Sequence, residues 1–242
     1  MLFFTTTVLV FIGLVMVFSS SGVYAMEKYN DAYYFLKRQM VWVALGTMVM
    51  LATRKMDYRY LEKYAYYIMG ITFLMLIAVM MPGLGKEVGG ARRWLMLGSF
   101  AFQPSELAKF ALVLFIAKSL VKRSDQLKNF AYGYLPKLIV LGFFFVPILK
   151  QPDFGTAMII CTVTFTMLMI AGVRLKFLIY SILAIIPLIV SEIINAEYRM
   201  RRIIAFLEPW EHQSNESFQA IQSFYAFGRG GIFGTGIGGS SQ

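Results

Sequence analysis

Seven apolar runs punctuate this chain, at 2–18, 40–52, 64–81, 110–117, 138–149, 156–173 and 177–190, and they leave it few ways to fold. A helix crosses a bilayer with about 20 apolar residues, and the shorter runs reach that length once flanking aromatic or polar residues are counted. The composition agrees: 58% of the residues are hydrophobic, 15% are charged and the mean hydropathy is +0.64, which is too little charge to cover a water-facing surface. The expected class is an all-α polytopic membrane protein with about seven transmembrane helices in residues 1–195, forming a single membrane domain. The first run is read as a retained helix: 23–25 resembles a cleavage site, but no Lys or Arg precedes Lys28 and the run is long for a signal peptide. Residues 196–242 turn polar and amphipathic and then Gly-rich. Such a Gly-rich run is normally fixed by neighbours that follow it, so the domain is expected to be incomplete at its C-terminus.

If the helices alternate, 53–63, 118–137 and 174–176 share one side and hold 11 Lys and Arg, against six in 19–39 and 82–93. The positive-inside rule then puts the first set, and the N-terminus, in the cytoplasm. The net charge of +10 speaks for anionic lipid headgroups or a phosphate-bearing substrate, and no nucleic-acid motif accompanies it. In this orientation Arg92, Arg93, Arg199, Arg201 and Arg202 are basic groups outside the cytoplasm, where they need an anion. A single cysteine, Cys161, excludes an internal disulfide, and with the single His212 it makes too small a set for a zinc site.

Four segments carry chemistry. In 103–109, QPSELAK, Pro104 suits a first helical turn, and Glu106 and Lys109 fall at i, i+3 where they can pair. An ionised group at the bilayer centre costs about 2.5–3.5 kcal/mol, so both are expected to face into the bundle, either as chemistry or as an ion pair that locks packing. In 150–156, KQPDFGT, Pro152 and Gly155 force a turn, and Asp153 can cap the next helix by accepting from Gly155 or Thr156. The segment 197–210 reads as a helix along the interface, with Trp210 at headgroup depth; Arg201 serves as an anchor, while Arg199 and Arg202 share a face that suits a phosphate. The Gly-rich run 228–240 follows no strand and precedes no visible helix, so neither nucleotide-loop pattern is met.

Taken in order, GLVMVFSSS at 13–21, GARRW at 90–94, QPSELAK at 103–109, QPDFGTA at 151–157, YRMRRIIAFLEPW at 198–210 and FQAIQSFYAFGRGGIFGTGIGGSSQ at 218–242 make the chain resemble a SEDS protein (shape, elongation, division and sporulation) of the FtsW, RodA and SpoVE type. The resemblance covers the whole chain. Its FLEPWEH and FQAIQS wording is closer to FtsW and SpoVE than to RodA.

That resemblance implies a bundle of about ten helices with both ends cytoplasmic, of which seven are here, with 196–242 as the start of a large extracytoplasmic loop. It implies a peptidoglycan glycosyltransferase of the bacterial plasma membrane that polymerises lipid II during division, elongation or sporulation, with a class B penicillin-binding transpeptidase as usual partner. The family's catalytic base is an aspartate in a Thr-Asp-Phe-type motif expected beyond Gln242, so no catalytic base is named in this chain and the 242 residues alone are expected to be inactive. Arg92 or Arg93, Lys109, Arg199 and Arg202 are the implied cations for the pyrophosphate; both Arg92 and Arg93 are kept, because family members differ over which position before the Trp carries the arginine. Glu106 would hold Lys109, while Gln151 and Asp153 would shape the rim of the same cavity. A divalent cation at the pyrophosphate is compatible with this chemistry, although no ligand set here demands one. Two alternatives remain: a lipid II flippase, which would need polar groups running to the cytoplasmic side, and a membrane scaffold for the penicillin-binding protein.

Overall fold

A computed structural model describes residues 1–88, 91–98, 100–122, 124–212, 217–236 and 239. Every apolar run becomes a helix: α1 (Leu2–Tyr29), α2 (Tyr34–Arg54), α3 (Tyr58–Met80), α4 (Pro104–Lys122), α5 (Leu135–Lys150), α6 (Phe154–Ile170) and α7 (Leu175–Ile194). Among the described residues, five helical stretches are long and apolar enough to cross a membrane: α1, α2, α3, α7 and Phe130–Lys150, which contains α5. Helix α4 carries Glu106, Lys109, Lys118 and Lys122 in 19 residues, and α6 has only 17, about 26 Å of helix. The chain is a multi-pass membrane protein.

Two compact units emerge, Met1–Met56 with Ile189–Gln242, and Asp57–Leu188. In the first, α1 keeps its polar residues satisfied within the helix: the Thr6, Thr7, Ser20 and Ser21 hydroxyls donate to carbonyls one turn back, as a lipid environment requires. Asn30, at φ 53, ends α1 and returns its N–H to Met26. Asp31 then accepts from the Tyr33 N–H and from Lys37 Nζ, and the Lys37 bond holds its carboxyl below the usual carboxylate range. Tyr29 stacks on Tyr34 at 4.0 Å, so aromatic rings close the α1–α2 hairpin. In the same unit, α8 (Glu197–Leu207) is the amphipathic helix expected from the sequence. Helix α9 (Phe218–Gly230) runs into the Gly-rich segment and stops at Gly231, whose φ of 53 favours glycine. This helix is absent from the sequence reading, because Gly228 and Gly230 are poor helix formers. The end of the Gly-rich run, 237–238 and 240–242, lies outside the described residues, as do Gly89 and Gly90 of the GGARRW stretch.

In the second unit, α4 is the hub, touching α3, α5 and α6. Ser105, Ala108, Leu112, Phe115, Ile116 and Ser119 recur at helical spacing and are all buried. Of these, Ala108, Leu112, Phe115 and Ile116 pack with Leu76 of α3, Leu141, Phe144 and Ile148 of α5, and Ala157, Ile160 and Cys161 of α6 into one core. The small residues Ala108 and Ala157, both fully buried, let helix backbones approach closely. A second core gathers Leu127, Tyr134, Leu168, Val173 and Leu178, reinforced by Tyr134 donating to Ser181 Oγ at 2.7 Å.

Where 82–93 reads as a plain loop, the chain builds a three-stranded antiparallel sheet, β1 (Gly85–Val88), β2 (Ala91–Leu97) and β3 (Phe100–Phe102). Strands this short, one of them without a clean apolar–polar alternation, give little periodic signal. The sheet leans on α3 and α4 and is the one non-helical layer among the described residues.

Gly133, in the π-helical turn Phe130–Tyr134 that leads into α5, has the Gln126 carbonyl where a Cβ would sit, whereas Gly142 has open space around it. Gly133→Ala should therefore lower stability by about 1–3 kcal/mol, and Gly142→Ala should leave it unchanged or raise it slightly. Thermal unfolding in detergent micelles distinguishes the two.

Candidate functional site

The two Gln-Pro motifs, 48 residues apart in the chain, meet at Asp153. Its Oδ1 accepts from the Thr156 N–H at 3.3 Å, which caps α6 as the sequence predicts. Its Oδ2 accepts from Gln103 Nε2 at 3.1 Å and from Ser105 Oγ at 3.2 Å, and Gln103 Nε2 also donates to Ser105 Oγ at 2.9 Å. Asp153 is 8% exposed and Ser105 0%. A buried carboxyl needs such partners, and here they tie the entry of α6 to the entry of α4. Two residues earlier, Gln151 is 2% exposed and its Nε2 donates to the Leu76 carbonyl of α3 at 2.9 Å.

The adjacent arginines of β2 do different work. Lys86 pairs with Trp94 and Glu87 with Arg92, so Arg93 is the extra residue of a β-bulge. A bulge re-aims a side chain, and Arg93 reaches the α5–α6 turn, where Nε donates to the Gln151 carbonyl at 3.0 Å and Nη2 to that of Pro152. Arg92 stays in register and forms an ion pair with Glu87 at 3.2 Å, both about half exposed; such a pair contributes about 0–1 kcal/mol. Beside it opens a cavity of about 350 Å³ lined by Met80, Glu87, Ala91, Arg92, Lys150, Gln151 and Pro152. That volume lies within the roughly 300–1,000 Å³ of small-molecule sites.

Glu106 and Lys109 pair at 2.9 Å on the first turns of α4, with side chains 57% and 31% exposed. Both are more open than the inward-facing expectation, and an exposed i, i+3 pair contributes only about 0.2–0.5 kcal/mol, too little for a packing lock. Lys109 also heads a narrow groove between α4 and α6 lined by Leu112, Val113, Ile159, Ile160 and Val163. In the other unit, Arg199 Nη1 bonds both the backbone carbonyl and the Oε2 of Glu192 at 2.6 Å, with its side chain 10% exposed. Arg201 lies 3.9 Å from Glu197, and Arg202 is exposed on α8.

The structure thus brings Arg92, Arg93, Gln151 and Asp153 together, with Glu106 and Lys109 within a turn of Ser105. Sequence reasoning left Lys150 and Glu87 out of the site. Lys150 had a readable signal, a cation closing an apolar run just before the turn motif; Glu87 had none, because only strand pairing carries it to Arg92.

Asp153→Ala removes the cap and strands two donors, and should lower stability by about 1–3 kcal/mol. Arg93→Ala should behave similarly, since two carbonyls lose their donor, whereas Arg92→Ala should stay within about 0.5 kcal/mol. Parallel melting curves of the three variants test this ranking.

Comparison with known proteins gives the same picture throughout the chain. A curated relative named probable peptidoglycan glycosyltransferase FtsW, from Geobacter metallireducens, is 41% identical over 95% of this chain. Stage V sporulation protein E of Bacillus subtilis is 36% identical over 98% of it. The chain spans 61% and 65% of the length of these two relatives. Among solved structures, one described as coordinating polymerization and crosslinking in a peptidoglycan synthase complex aligns with a TM-score of 0.68 at 29% identity, covering 93% of this chain and 66% of its own. The rod shape determining protein RodA of Thermus thermophilus aligns with a TM-score of 0.54 at 26% identity, covering 73% of this chain and 57% of its own. The family model for FtsW, RodA and SpoVE, described as cell cycle protein, matches residues 1–242 without interruption, and the chain belongs to that family.

Proposed function

We propose that the protein to which this chain belongs is a peptidoglycan glycosyltransferase, polymerising lipid II at the outer face of the bacterial plasma membrane, with its N-terminus in the cytoplasm. The observation that carries this reading is the gathering of Arg92 and Lys150 on one cavity, with the Glu106–Lys109 pair beside the same buried hub. The names of its relatives support the same activity.

In this reaction a sugar hydroxyl attacks the anomeric carbon of a second lipid II, the bond to its undecaprenyl pyrophosphate breaks, and a general base takes the hydroxyl proton. Charge builds on the departing diphosphate, and cations already in place offset it. The proposal gives that task, within the second unit, to Arg92 and Lys109, with Lys150 added, and has Glu106 orient Lys109. Arg93, Gln151 and Asp153 act as positioning residues that fix the α5–α6 turn, and Arg199, held by Glu192, orients α8. No residue of 1–242 is assigned as the base. Among the described residues no three His, Cys, Asp or Glu side chains converge as metal ligands; a divalent cation carried by the pyrophosphate itself would share the neutralisation with these side chains.

The apolar lining of the α4–α6 groove below Lys109 favours a polymerase over a flippase, which would need a polar path there. A class B penicillin-binding transpeptidase is the proposed partner; the solved synthase complex, in which polymerization and crosslinking are coordinated, supports it.

The test is glycan synthesis from lipid II by the purified full-length protein with its transpeptidase. Lys109→Ala and Glu106→Ala should each lower the rate at least about 100-fold while the melting temperature stays near that of the unsubstituted protein. Glycan of normal length and yield from both variants would remove the site assignment.

A further inference from the structure

The other end of the α3–α4 pair carries a constellation that the proposed chemistry does not use. Lys118, near the end of α4, donates to the Glu62 carbonyl of α3 at 2.6 Å and lies 4.6 Å over the Tyr66 ring. Arg59, Lys63, Tyr66 and Tyr67 follow at i, i+4, i+7 and i+8 and so share one face of α3. Lys118 and Lys122 follow at i, i+4 on α4, and Arg59, Lys63 and Lys122 are exposed. Among the described residues the acids nearest in the chain are Asp57, Glu62 and Asp125, and Asp57 caps α3 by accepting from the Arg59 N–H. Four cations therefore meet three acids. Lys122 lies 13 residues from Lys109, about 20 Å along α4, so this seam is separate from the site described above.

Its surroundings suit a lipid more than a free ion. Tyr58, Tyr60, Tyr64 and Tyr67 are 71%, 58%, 47% and 69% exposed, an aromatic belt of the kind that sits at headgroup depth. Toward the middle of α3 comes Gly70, with open space where a side chain would be, and then the exposed Ile71 and Leu74. A charged, ring-floored end thus continues into an apolar notch on the same helix. Lysine stems can lie along the rings while their ammonium groups stay at the polar boundary, and basic pockets between membrane helices hold anionic headgroups.

We propose that this seam binds an anionic phospholipid of the surrounding bilayer, its phosphate held by Arg59, Lys63 and Lys122 around Tyr66 and one acyl chain laid past Gly70. The full-length protein in detergent micelles is titrated with phosphatidylglycerol and with phosphatidylcholine of the same acyl chains, and bound lipid is counted by native mass spectrometry. Phosphatidylglycerol should be retained and phosphatidylcholine lost, and added salt should weaken the retention. The double variant Lys63→Gln/Lys122→Gln should lower phosphatidylglycerol affinity roughly 30-fold, while Lys86→Gln on β1 should leave it unchanged. Equal retention of both lipids, affinity indifferent to salt, or a double variant that binds like the unsubstituted protein would each overturn the proposal.

Discussion

The buried carboxyl of Asp153 is the interaction on which this architecture turns. Helix starts leave backbone N–H groups without partners, and a cap satisfies one of them; this cap does so for α6 while its second oxygen collects Gln103 and Ser105 from the start of α4. One side chain thereby sets the relative position of two helix entries. Arg93 and Gln151 add the strand and α3 to the same junction. Each bond is modest on its own, about 0.5–1.5 kcal/mol, but losing one partner leaves others buried without one, so the junction behaves as a unit.

With that junction in place, α4 can tolerate its charges. Its apolar stripe is buried against three neighbours, while Glu106 and Lys109 stand partly open at one end and Lys118 and Lys122 at the other. Charge at the ends of a membrane helix is cheap compared with charge at its centre. A helix too charged to pass for a membrane span by composition is thus well enclosed by protein.

Much of this was legible in the sequence. The apolar runs located every helix from α1 to α7, Pro104 marked the first residue of α4, and Asp153 was readable as a cap because its type and place before Gly155 and Thr156 are local signals. The i, i+3 spacing of Glu106 and Lys109 likewise foretold their pairing. What escaped was non-local. Nothing near Asp153 in the chain announces Gln103 and Ser105, and β1 and β2 become strands only because each finds the other. The inward orientation expected of Glu106 and Lys109 followed from a rule about lipid, whereas their place on the first turns of α4 gives them an end-of-helix environment. The helical face of Arg199 suits a phosphate, and its tie to Glu192, which the sequence does not announce, depends on how α7 hands over to α8.

The bulge in β2 separates two neighbouring guanidinium groups into a brace and an open charge. Which arginine takes which part is decided by the ladder and not by its place in the word Arg-Arg-Trp. Moving the irregularity by one step would exchange the two parts without changing a letter of the sequence.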